Sequence, residues 1–109
     1  MKKFGIIGHP LGHSFSPSYF NEKFQNEGID AVYEKYDLPV ITDLQAIIDY
    51  TQDLCGFNVT IPYKEKVMSY LDIVSPEARS IGAVNVVKVI NKDGKKYQEG
   101  YNSDPIGFM

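Results

Sequence analysis

A single cysteine, Cys55, stands in the 109 residues of this chain, so no disulfide can form within it, as fits a reducing cytoplasm. Nothing near Cys55 would make it a nucleophile, and it reads as a small buried apolar residue. A basic stripe is missing too. The net charge is -3 with a pI near 5.2, which argues against nucleic acid as the main partner. Long apolar runs are absent: Phe4 to Ile7 and Ala83 to Val87 are far too short to span a bilayer. Met1-Lys2-Lys3 precedes the first of them, but no signal-peptide core or cleavage site follows. His9 and His13 lack the clustered Cys, His or carboxylate partners of a metal site, so no metal is implied. Gly5, Gly8 and Gly12 do not have G-x-G-x-x-G spacing, Pro10 interrupts their loop, and no helix opens at the third glycine. A dinucleotide site there is rejected. Internal repeats, low-complexity tracts and long linkers are lacking as well.

What is present is enough for one compact domain, with 43% hydrophobic residues. Phe4-Gly5-Ile6-Ile7-Gly8 reads as a strand whose glycines permit close backbone approach. Ser16 and Pro17 open a helix with Tyr19, Phe20 and Phe24 on its apolar face, and Gly28 ends it. Ala31 to Tyr36 alternates as a second strand. Thr42 or Asp43 caps a helix whose core face takes Leu44, Ile47, Ile48 and Leu54. Gly56-Phe57-Asn58-Val59 is a short buried strand, and Pro62 is expected to open a helix carrying Val67, Met68 and Leu71. Ser75-Pro76 starts one short helical turn. Ala83 to Ile90 and Lys96 to Tyr101 flank an Asp93-Gly94 hairpin turn. The fold class that follows is α/β: a three-layer, open, mostly parallel sheet with helices on both faces and one antiparallel hairpin strand. Asp104-Pro105 looks like one more helix start with too few residues after it, so the chain is expected to belong to a longer protein.

Three places bear chemistry. Lys64 falls at a strand-to-helix corner, where α/β folds place ligands, and in the first turn the macrodipole should loosen its proton. The plain alternative is a solvated surface lysine. Ser14 and Ser16, beside the helix that begins at Pro17, form a site for a small anion, or else a loop serine and a cap. Asn102-Ser103-Asp104, with Asn85 in the strand before, offers a carboxylate that caps a helix or pairs with a lysine from another strand end.

The motifs His13-Ser14-Phe15-Ser16-Pro17, Asn58 to Glu65, Gly82-Ala83-Val84-Asn85 and Asn102-Ser103-Asp104 with Gly107-Phe108 occur in this order along the whole chain. Together they resemble the shikimate dehydrogenases. The resemblance implies that residues 1–109 are the amino-terminal, substrate-binding domain of a two-domain, NADP-dependent enzyme. Such an enzyme interconverts 3-dehydroshikimate and shikimate in aromatic amino acid biosynthesis. NADP would sit on a following Rossmann domain that this chain lacks. By motif, Ser14 and Ser16 would hold the substrate carboxylate, and Thr60, Lys64, Asn85 and Asp104 the ring oxygens. Lys64 with Asp104 would be the acid–base pair. The sequence departs from the family pattern at Phe20-Asn21 (often His-Asn), at Val86 and Ser103 (usually Thr) and at His9 (often Asp). A shikimate/quinate dehydrogenase of relaxed specificity and a stand-alone, non-catalytic polyhydroxy-acid-binding domain remain the alternatives, and a homodimer is left open.

Overall fold

A computed structural model describes residues 1–11 and 16–102. Six strands form one sheet in the order β2-β1-β3-β5-β6-β4. They are β1 (Lys2–Gly8), β2 (Ala31–Asp37), β3 (Leu54–Val59), β4 (Ile73–Val74), β5 (Val86–Lys92) and β6 (Lys95–Tyr101). β1 is parallel to β2 and β3, and β6 is parallel to β4. Only β5, among the described strands, runs against its neighbours β3 and β6. The expected mostly parallel sheet with one antiparallel hairpin strand is therefore the observed one.

Helices cover both faces, so β1 is buried from Phe4 onward and reads as an apolar run. On one face α1 (Ser16–Asn26) sets Phe20 and Phe24 against Phe4, Ile6, Leu11 and Tyr33. Phe20 stacks on Tyr33 with ring centroids 4.6 Å apart. Tyr19, expected on this apolar face, is instead exposed. The helix ends as Gly28 predicts. Gly28 adopts φ 66°, its N–H donates to the Gln25 carbonyl, and the Ile29 N–H donates to that of Phe24. That paired closure satisfies carbonyls the helix end would leave orphaned.

The opposite face buries Leu44 and Ile48 of α2 (Leu44–Tyr50) with Ile7, Phe57, Val67, Val84 and Val87. Asp43 precedes α2 in a helical conformation and makes no side-chain cap bond. A 3₁₀ turn over Ile41–Asp43 leads in instead, so no capping side chain is used there. Leu54 is buried from β3 rather than from α2. The β1–β3 register shifts between Lys3 and Phe4, a bulge that lets Leu54 and Phe57 reach the same core despite their odd spacing. Cys55, at the bulge, is half-buried rather than buried.

The helix expected from Pro62 does not form. Residues 61–65 are turns, and a 3₁₀ segment, Lys66–Tyr70, follows. Its length is limited from downstream, because the Asp72 N–H donates to the Gln98 carbonyl and Ile73–Val74 joins the sheet edge as β4. Residues committed to a strand cannot also finish a helix. Val67 is still buried, with Met68 and Leu71 packed against the same core. Further on, Ser75 caps α3 (Pro76–Ile81) by accepting from the Ala78 N–H at 3.2 Å. Asp93 and Gly94, with φ 53° and 79°, turn between the paired Lys92 and Lys95, the two-residue hairpin that Asp-Gly favours. No helix among the described residues is long and apolar enough to cross a membrane.

Candidate functional site

The loops after β1 and β3 leave toward opposite faces, since α1 packs on one side of the sheet and Tyr63 and Val67 on the other. Adjacent parallel strands whose connections diverge in this way open a crevice at their carboxyl ends, where α/β sheets bind ligands. The chain is knitted together along that edge by main-chain bonds. The Thr60 N–H donates to the Ile7 carbonyl at 2.9 Å, and the His9 N–H to that of Ile61 at 3.2 Å. Val59 N–H donates to the Asn85 carbonyl, Asn85 N–H to that of Tyr101, and Val84 N–H to that of Lys64, at 2.8 to 3.0 Å. Lys64, Asn85 and the end of β6 are therefore neighbours although they are distant in sequence.

Thr60 is half-exposed at the end of β3, Asn85 half-buried ahead of β5, and Lys64 exposed in the turn after Thr60. Because no α-helix opens at Pro62, the expected influence of a helix dipole on Lys64 has nothing to rest on. The Lys64 ammonium makes no hydrogen bond or ion pair among the described residues. Ser16 is the first residue of α1, and only its backbone is described. Ser14 and Asp104 lie outside the described residues. Asp104 follows Asn102, whose side-chain amide donates to the Ala83 carbonyl at 3.1 Å, next to Val84 and Asn85.

Four further side chains shape this edge, and none had been given a role from sequence. Tyr63 is buried and its phenol donates to the Leu38 carbonyl, tying the Thr60–Lys64 turn to the end of β2. Asp37, the last residue of β2, bonds His9 Nδ1 at 2.6 Å and accepts from the Leu11 N–H at 3.2 Å. The His9 contact first, and the Leu11 N–H second, hold its carboxyl below the ordinary carboxylate range. Asn58, buried near the end of β3, accepts the Tyr33 hydroxyl at 2.5 Å beneath α1. A buried asparagine in an otherwise apolar strand is a signal the sequence did carry, since such an amide must find a partner. Asn21 meets the outer side of edge strand β2, donating to the Tyr33 carbonyl at 2.9 Å and accepting from its N–H at 2.8 Å. It does for β2 what a further strand would do.

Gly5 and Gly8 of β1 are taken up by packing, and Gly12 lies outside the described residues. A Cβ on Gly5 would lie 2.3 Å from the Tyr36 ring, and one on Gly8 would lie 2.4 Å from the Thr60 γ-methyl and 2.9 Å from the Ile61 carbonyl. Protein atoms fill the space that a pyrophosphate would need. The residues of this chain do not fit a dinucleotide there.

The substrate-binding domain of shikimate dehydrogenase, as a family, matches residues 6–87. A shikimate dehydrogenase (NADP(+)) of Clostridium perfringens (strain SM101 / Type A) is 46% identical over 114 residues, covering 99% of this chain and 39% of that protein. One from Methanocaldococcus jannaschii is 45% identical over 108 residues, covering 97% of this chain and 36% of its own length. The crystal structure of the Thermus thermophilus shikimate 5-dehydrogenase in complex with NADP(H) and shikimate superposes with a TM-score of 0.80 at 36% identity, over 99% of this chain and 40% of that one. The chain thus spans about two fifths of the relatives it matches. It belongs to the shikimate dehydrogenase family, as the amino-terminal, substrate-binding domain.

Proposed function

We propose that this chain binds 3-dehydroshikimate and shikimate for a reversible, NADPH-dependent ketone reduction, and that Lys64 and Asp104 move the proton. The observation that carries the proposal is the joining of the Lys64 turn to the Val84–Asn85 segment by the 2.8 Å bond from the Val84 N–H to the Lys64 carbonyl. Asn85 is in turn bonded to Tyr101 at the end of β6, three residues before Asp104. A lysine, an amide and the strand leading to a carboxylate thus share one crevice edge.

Reduction leaves negative charge on the former carbonyl oxygen. A positioned ammonium stabilises that charge and then supplies its proton. Asp104 orients the ammonium and helps restore its proton. Ser14 and Ser16 hold the substrate carboxylate at the start of α1, while Thr60 and Asn85 hold ring oxygens. NADP supplies the reducing equivalent when bound, and its place is on the family's other domain, because the glycines of this chain lack G-x-G-x-x-G spacing and Gly5 and Gly8 are closed by packing. The protein acts in aromatic amino acid biosynthesis in the cytoplasm. Val86, which stands where the family usually has threonine, is buried.

The test is steady-state kinetics of the full-length protein. Lys64→Ala is expected to lower kcat by about 10²–10⁴-fold with a much smaller change in KM, because the proton moves only in the transition state. Asp104→Ala should lower kcat as well. The double variant should lose less than the product of the two single losses, since the pair acts as a unit. Near-normal kcat in Lys64→Ala would remove the lysine from the mechanism.

A further inference from the structure

We propose that Tyr63 is a positioning residue for Lys64, acting through the bond from its phenol to the Leu38 carbonyl. The proposal rests on the acid–base role of Lys64 given above. Within residues 60–65, all of them described, Tyr63 is the one buried side chain, at 4% exposure, whereas Ile61 beside it is 74% exposed. The turn therefore has one root in the protein. The Tyr63 ring lies in the same core as Leu38, Val67 and Val84, and its hydroxyl reaches the backbone at the end of β2. Leu38 is itself fastened, since its N–H donates to the Gly8 carbonyl at 3.0 Å.

The main chain completes the clamp. Tyr63 N–H donates to the Thr60 carbonyl at 3.0 Å, the Tyr63 carbonyl accepts from Val67 at 2.9 Å, and the Lys64 carbonyl accepts from Val84 at 2.8 Å. Lys64 is thus held between a phenol anchored on β2 and the segment that starts β5. Among the described residues no side chain hydrogen-bonds its ammonium, so what they contribute to the place of the lysine comes through its backbone, which these anchors hold. Core packing alone would be served by phenylalanine. The hydroxyl is the feature that packing leaves over, and it bonds to a carbonyl beside the crevice.

The experiment uses the full-length protein with Tyr63→Phe, Lys64→Ala and both together, measuring kinetics with 3-dehydroshikimate and NADPH and a melting curve for each. A loosened lysine should cost Tyr63→Phe about tenfold in kcat, with KM changed by less than about twofold, because misplacement of a proton donor is felt mainly in the transition state. In the Lys64→Ala background the same substitution should cost nothing further, since there is no ammonium left to misplace. An equal loss in both backgrounds would mean a general structural role and overturn the proposal. So would wild-type kcat in Tyr63→Phe beside a crippled Lys64→Ala, which leaves the acid–base reading standing. Near-normal kcat in Lys64→Ala would overturn that reading and the positioning role with it.

Discussion

At Gly8 the lack of one carbon decides where Thr60 can sit. A Cβ there would lie 2.4 Å from the Thr60 γ-methyl, so any other residue would push apart the two strand ends that frame the crevice. Lys64 illustrates the reverse case, a residue the fold does not need. It is exposed and its ammonium has no described partner, so Lys64→Ala should leave the melting temperature unchanged while kcat falls. Ser14 and Ser16 belong to this scale as well. If both clasp a carboxylate, replacing the pair with alanine in the full-length protein should raise KM strongly, because a hydrogen bond to a charged group is worth about 1.5–3 kcal/mol. An unchanged KM in the double variant would leave Ser16 with no role beyond starting its helix.

Among the elements, β2 carries the clearest dependence on pH. Its Tyr36 hydroxyl is buried, with Glu34 and Thr51 beside it but neither bonded to it in good geometry. Burial first, and the Glu34 charge second, push Tyr36 from 10.0 up to about 12. The group is neutral in the folded protein at a pH where the unfolded chain has begun to ionise. Its contribution to stability is therefore full below pH 10.0 and is lost as pH rises toward about 12. Tyr36→Phe should remove part of the alkaline fall in melting temperature over that window and change little at neutral pH. An alkaline limb identical to that of the wild type would show that Tyr36 does not contribute. Elsewhere the 60–65 turn shows an element overruled by its neighbours. Proline and the apolar spacing after it call for a helix, but pairing of Ile73–Val74 at the sheet edge limits the segment to Lys66–Tyr70.

For the molecule as a whole, the two crossovers around β1 place α1 and α2 on opposite faces. At the carboxyl edge of β1 and β3, main-chain bonds join the segments that carry Thr60, Lys64 and Asn85. The two buried clusters give residues 1–109 a core on each side of the sheet, so this chain by itself should fold cooperatively. It should nevertheless show no turnover of NADPH with 3-dehydroshikimate, because its glycines lack G-x-G-x-x-G spacing and Gly5 and Gly8 are closed by Tyr36, Thr60 and Ile61. A cooperative melt without activity is the expected result. Robust turnover by the contaminant-free chain would place a nucleotide site within these residues.

Local rules alone determined a good deal. Gly28, Ser75-Pro76 and Asp93-Gly94 end, cap and turn the chain where their own backbone preferences dictate, and apolar spacing located β1, α1, α2 and β3. These signals need only neighbours within a few residues, so they survive without the rest of the molecule. Four motifs in order also sufficed to indicate the family. The two-residue β4, the bulge at Cys55 and the 3₁₀ segment in place of a helix were decided elsewhere. Each depends on a partner strand distant in sequence, and hydrogen bonds across a sheet outweigh the small propensities of short segments. The same holds at the crevice edge. Lys64, Asn85 and Asn102 could be named from their motifs, but only strand pairing and the Tyr63 phenol on Leu38 bring their backbones together, because that proximity is a property of the sheet and of no single stretch.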